Sequence, residues 1–146
     1  MRIYRGVSKY YRACTLENEY LKTPRLPRNV SVNVHNVADK WFYNKFGIKA
    51  RSECIFCTPC IEQAKEFGRP CEVSLAEGLE YVLVYSVNVE DFIEIEFDIR
   101  DVSDDNEIIL WLENKSYESV RSLEELPKGF QGEIMLYCEK YKISEV

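Results

Sequence analysis

The sequence predicts an α+β fold in which two packed, mostly antiparallel sheets carry flanking helices. Strand-like segments do not alternate regularly with helical ones, which disfavours a parallel doubly wound sheet. One stretch, residues 33–46, has apolar residues at helical spacing, and several others have the β-branched and aromatic composition of strands.

Taken in order, Arg2-Ile3-Tyr4-Arg5-Gly6-Val7 reads as a short first strand. A loop containing Pro24 and Pro27 leads to residues 33–46, where Val34, Val37, Ala38, Trp41, Phe42 and Phe46 lie close to one helical face and Gly47 supplies a left-handed cap. A strand is expected over residues 53–57. Thr58, with Pro59 at the first helical position, then opens a short helix that Gly68 closes. Residues 81–87 and 92–97 read as strands. Asp104-x-x-Glu107 starts a helix through about Arg121, and a terminal strand runs over roughly residues 133–143.

The chain has 146 residues, of which 46% are apolar and 13% aromatic, and is read as one catalytic domain spanning residues 1–146. No apolar run approaches the length of a membrane span and the N-terminus lacks a signal-peptide core, so no membrane partner and a cytoplasmic location are expected, in the cell of origin or in a host or target cell. The net charge of −6 argues against a broad nucleic-acid footprint. Eleven of the nineteen Lys and Arg residues nevertheless fall between Arg2 and Arg51, which leaves room for a local basic site for a small anion.

Cys54, Cys57 and Cys60 form a C-x2-C-x2-C run. Such spacing serves metal or iron–sulfur ligation, and a small Cys-ligated metal protein is one reading of the chain. A strand through Ile55 and Phe56 would send Cys54 and Cys57 to opposite faces, which favours packing over ligation, so no metal ligands are assigned.

Three separated segments carry the candidate chemistry. Tyr4-Arg5-Gly6 places a guanidinium, suited to a diphosphate, beside a residue that lets a ligand approach the backbone. Phe56-Cys57-Thr58-Pro59 leads a strand toward a helix N-terminus, where anions are favoured. Gln131-Gly132-Glu133 sets an amide and a carboxylate two residues apart at the mouth of an apolar strand, on one face. The single histidine, His35, is a possible acid, base or ligand contact within the 33–46 helix, and Arg51-Ser52 is placed to reach a phosphate.

In this order the three segments resemble the mono-ADP-ribosyltransferase family of bacterial-toxin and phage type, in the branch with Arg, Ser-Thr-Ser-like and Gln-x-Glu motifs. Cys57 and Pro59 replace the two serines, leaving Thr58 as the motif's one hydroxyl. The resemblance implies an enzyme, a glycosyltransferase that cleaves the nicotinamide–ribose bond of NAD and passes ADP-ribose to a macromolecular acceptor. A protein acceptor is expected, a nucleic-acid acceptor is an alternative, and an inhibitor or antitoxin is a possible partner. It further implies that Glu133, Gln131 and Arg5 are catalytic, and that Arg5, Gly6, Thr58, Phe56 and His35 contact NAD. A glycohydrolase, or a non-enzymatic binding protein on the same fold, are the alternatives.

Overall fold

A computed structural model describes residues 1–9 and 11–146. The strands are β1 (Ile3–Val7), β2 (Cys14–Glu17), β3 (Ile55–Cys57), β4 (Arg69–Ser74), β5 (Val82–Tyr85), β6 (Glu118–Val120), β7 (Ile134–Tyr137) and β8 (Lys140–Glu145). The helices are α1 (Val32–Phe46), α2 (Ala50–Glu53), α3 (Ile61–Lys65), α4 (Glu94–Asp98) and α5 (Asp105–Asn114). One sheet has the order β1-β4-β8-β2 and the other β3-β7-β5-β6, with every neighbouring pair antiparallel. This is the expected α+β arrangement of two antiparallel sheets with flanking helices.

Side-chain alternation on the second sheet sorts the core into two layers. Ile55, Cys57, Leu83, Tyr85, Ile134 and Leu136 pack toward the first sheet, against Ile3, Val7, Cys71, Val73, Tyr141 and Ile143. On the other face, Cys54, Val84 and Met135 pack against α1 and α5 through Val34, Ala38, Phe42, Ile108 and Leu112. The sheets also meet edge to edge, where Tyr4 and Thr58 exchange backbone hydrogen bonds of 2.8 and 2.9 Å. β3 places Cys54 and Cys57 in different layers, and among the described residues no group of His, Cys, Asp and Glu is arranged to hold a metal ion. None of the described helices is long and apolar enough to cross a membrane.

The helix expected over residues 33–46 forms as α1, capped by the Ser31 side chain and closed by Gly47 at φ 75°. Five other expectations need correction. Residues 92–97 are not a strand, because Phe92, Ile95 and Ile99 recur at helical spacing toward the core and leave Phe97 outside; the Glu94 carboxylate caps this turn by accepting from the Glu90 and Asp91 amides. α5 starts at its Asp104 cap as expected but stops at Asn114, since Ser116 at φ 58° turns the chain into β6. The single terminal strand divides into β7 and β8, which belong to different sheets. α3 begins after Cys60, not at Thr58-Pro59. Finally β2, α2 and β4 have no counterpart in the sequence reading; the alternation of Cys71 and Val73 in β4 is masked by Gly68 and Pro70.

Candidate functional site

The site is built around the aromatic ring of Phe56, which β3 directs to the helical side of its sheet. Glu133, just ahead of β7, shares the face of Met135 and so projects to the same side. Its backbone N–H donates to the Glu90 carbonyl at 2.9 Å, and a Cβ on Gly132 would come within 2.6 Å of the Val89 carbonyl oxygen, so the turn that aims Glu133 requires glycine.

The partner of Glu133 is Arg51 on α2. Arg51 Nη1 donates to Glu133 Oε1 at 2.8 Å, with only 9% of the Arg51 side chain and 15% of the Glu133 side chain exposed. The guanidinium carbon lies 4.2 Å from the Phe56 ring centre and 4.0 Å from that of Phe92. Such stacking suits the planar, weakly hydrated guanidinium. Arg51 is held at its backbone as well, since Asp39 Oδ1 accepts from the Arg51 and Ser52 amides at 3.1 and 3.0 Å and Asp39 Oδ2 accepts from the Ser52 hydroxyl at 2.6 Å. Burial pushes the Glu133 carboxyl above its ordinary value, Arg51 opposes that rise, and Asp91 adds to it.

Arg25 stands beside this pair. Its guanidinium carbon is 3.9 Å from the ring centres of both Tyr20 and Phe56, and Nη2 donates to the Cys54 carbonyl at 3.1 Å. Burial, and after it the like charges of Arg5 and Arg51 working against Tyr20, lower its pKa to about 10. Arg5 lies on the β1 face that carries Ile3 and Val7, against Tyr141, whose ring centre is 6.0 Å from its guanidinium carbon. Arg5, Arg25 and Arg51 each bury an Nε that has no hydrogen-bond partner. Neither Arg5 nor Arg25 forms an ion pair among the described residues. Arg25 thus stands within electrostatic reach of both Arg5 and Arg51, and of the three only Arg51 pairs with the Glu133 carboxylate.

The remaining expected residues take different places. Thr58 is buried, and its hydroxyl proton lies between Gln63 Oε1 at 2.8 Å and the Gln131 carbonyl at 3.1 Å, while its oxygen accepts from the Cys60 amide at 3.1 Å. It thus ties the middle segment to the Gln131–Glu133 turn. Thr58→Val is expected to lower stability by about 1–3 kcal/mol by stranding these groups, and Thr58→Ser by much less. Urea unfolding checks this, and equal losses in the two variants would contradict it. Gln131 projects outward, its amide bonded to the Phe130 carbonyl. His35 is 6% exposed on α1, and burial lowers its pKa against the opposing charge of Asp39.

Gly6 departs from its expected role. The space over it is filled by the end of α3: an added Cβ would sit 2.3 Å from the Ala64 carbonyl oxygen and 2.8 Å from the Phe67 carbonyl carbon, so the missing side chain admits the protein's own backbone in place of a ligand. Gly6→Ala is expected to cost about 1–3 kcal/mol of stability through overpacking; unfolding at the wild-type denaturant midpoint would refute this packing. The expected helix N-terminus at Thr58-Pro59 does not exist as an anion site either, because α3 is a single five-residue turn starting two residues later.

A cleft of about 680 Å³ is lined in part by Tyr20, Arg25, His35, Asp39 and Ser52. Glu133, Arg5, Arg51 and Phe56 are not part of its wall. The sequence reading named Arg51-Ser52 for a phosphate but missed Arg25, Tyr20, Phe92 and Asp39. Arg25 sits in a Pro-flanked loop with no pattern to mark it, whereas Asp39 lies four residues after His35 on α1, a spacing that places both on one face.

No family model matches the chain, and neither does any curated protein or solved structure.

Proposed function

We propose that the protein is an NAD-dependent mono-ADP-ribosyltransferase that cleaves the nicotinamide–ribose bond and transfers ADP-ribose to a macromolecular acceptor, most simply a protein. The observation that carries this reading is the buried Arg51–Glu133 pair with the Arg25 guanidinium beside it on the Phe56 ring, Arg5, Arg25 and Arg51 each burying an unpartnered Nε. Guanidinium groups match the two negative charges of a diphosphate, and a fixed carboxylate answers the positive charge that develops at the ribose carbon.

In this mechanism the bond between the ribose C1 and the nicotinamide nitrogen breaks, and its electron pair leaves with nicotinamide. Charge grows on C1 as the bond lengthens, so Glu133 stabilises the transition state more than the ground state. Arg51 keeps that carboxylate oriented and ionised within its buried setting. Thr58, bonded to the Gln131 carbonyl, fixes the turn that presents Glu133. The acceptor's nucleophile then forms a bond to C1 and releases its proton to solvent, with the outward Gln131 amide placed to touch the acceptor.

Purified protein incubated with NAD labelled in the adenine half, alone and with cell lysate, tests the reading. Nicotinamide release together with label on a macromolecule is the expected result. Release without label on any macromolecule would make water the acceptor and the enzyme a glycohydrolase, and absence of release would leave the reading without support.

A further inference from the structure

The cleft beside α1 has a chemistry of its own. Arg25 is anchored there from two sides: its backbone N–H donates to the Ser52 carbonyl at 2.9 Å, and its guanidinium is stacked on Tyr20 and Phe56. Of five guanidinium N–H donors, one is used by the Cys54 carbonyl, and no carboxylate pairs with it among the described residues. The two carboxylates of the cleft wall are committed elsewhere, Asp39 to the amides and hydroxyl of Arg51 and Ser52, and Glu53 to the Lys49 amide at 3.1 Å. A rigid cation in a cleft wall without a paired carboxylate is a receptor for an anion.

Apart from His35, Asn36, Lys49 and Ser52, the rest of the wall is apolar, and much of it is bare. Leu26 is 81% exposed and Val32 63% exposed, and they line the cleft together with Leu21, Pro24 and Pro27. Exposed apolar surface next to a fixed cation suits a ligand that is flat and apolar at one end and anionic at the other. The cleft's volume, about 680 Å³, lies within the usual range for small-molecule sites.

We propose that this cleft is a nucleotide site in which Arg25 holds a phosphate group and Leu21, Pro24, Leu26, Pro27 and Val32 cover the heterocycle. It deepens the NAD reading by locating the adenine nucleotide half of the substrate, and it rests on that reading for the choice of base.

Calorimetric titration of the full chain with ADP, adenosine and inorganic pyrophosphate tests it. ADP is expected to bind more tightly than either fragment. Arg25→Gln removes the charged donor and is expected to weaken ADP by roughly 10- to 100-fold. Since Arg25 also packs between two rings, a second variant guards against misfolding. Val32→Glu changes an exposed side chain at the first position of α1, where an acid favours the helix, and is expected to weaken ADP at least about tenfold by meeting the ligand with a like charge. Failure of the wild type to bind ADP, or unchanged affinity in both variants, would overturn the site. ADP binding that depends on both residues, without nicotinamide release from NAD, overturns the proposed reaction and leaves this site standing. Nicotinamide release with an unchanged KM for NAD in both variants does the reverse.

Discussion

Glu133→Gln is expected to slow nicotinamide release from NAD by roughly 100- to 1,000-fold, the range found when one preorganised electrostatic group is removed from a transition state. The substitution keeps the shape of the side chain and an oxygen that accepts from Arg51 Nη1, so the turn at Gly132 and the bond to the Glu90 carbonyl stay in place. What it deletes is the negative charge, and that charge matters most when C1 is most positive. The loss should therefore fall on kcat, with KM for NAD little changed, because the proposed phosphate contacts lie on the arginines. Nicotinamide quantified by chromatography at saturating NAD, with circular dichroism as the check of folding, measures this. Full activity in a folded Glu133→Gln protein would mean that the carboxylate is not the catalytic group even if NAD is the substrate.

The fold was legible where periodicity is long or caps are explicit. α1 shows itself through Val34, Ala38 and Phe42 ahead of Gly47, and α5 through Asp104. Short elements escaped because their formation is decided by tertiary pairing: β2 exists through its register with β8, and β4 through its register with both β1 and β8. The 92–97 segment failed for a different reason. Phe92-Ile93-Glu94-Ile95-Glu96-Phe97 alternates like a strand, yet the carboxylate of Glu94 closes a helical turn and burial of Phe92, Ile95 and Ile99 fixes it.

The candidate site divides in the same way. Arg5, Thr58 and Glu133 stood out because they lie in or beside apolar strands, and the structure joins the Thr58 segment to the other two through β3–β7 pairing and the Tyr4–Thr58 bridge. The groups that touch Glu133 most closely come from α2 and the loop before α4, and although Arg51 was singled out in the sequence, its pairing with Glu133 was not. A guanidinium that meets its carboxylate across 82 positions leaves no mark in local sequence. Gly6 shows the converse error, since a glycine beside an arginine reads as a ligand approach while the space is taken by α3.

Arg51→Met is expected to lower stability by about 3–5 kcal/mol, because it leaves the buried Glu133 carboxylate without its counter-charge. Glu133→Met alone should cost a similar amount by stranding Arg51 between Phe56 and Phe92. The double variant should recover most of the loss, since a buried ion pair replaced by apolar side chains of similar size is often neutral in stability. Denaturant titration of the four proteins gives the coupling, and a double variant that loses the sum of the two singles would show that the pair contributes nothing as a pair. The single Arg51 variant also makes a pH prediction. Burial already raises Glu133 above its ordinary value near 4.5, so the native state holds this proton more tightly than the unfolded chain, and stability from this group falls as pH rises from 4.5 through the raised native value. Arg51 and Arg25 restrain that rise while Asp91 adds to it, and deleting Arg51 removes the larger restraint. The falling limb of stability should then extend to higher pH in Arg51→Met. The acid limb of nicotinamide release, which needs the ionised carboxylate, should move the same way. An acid limb that stays put would separate Arg51 from the ionisation of Glu133 and leave it a packing residue between two rings.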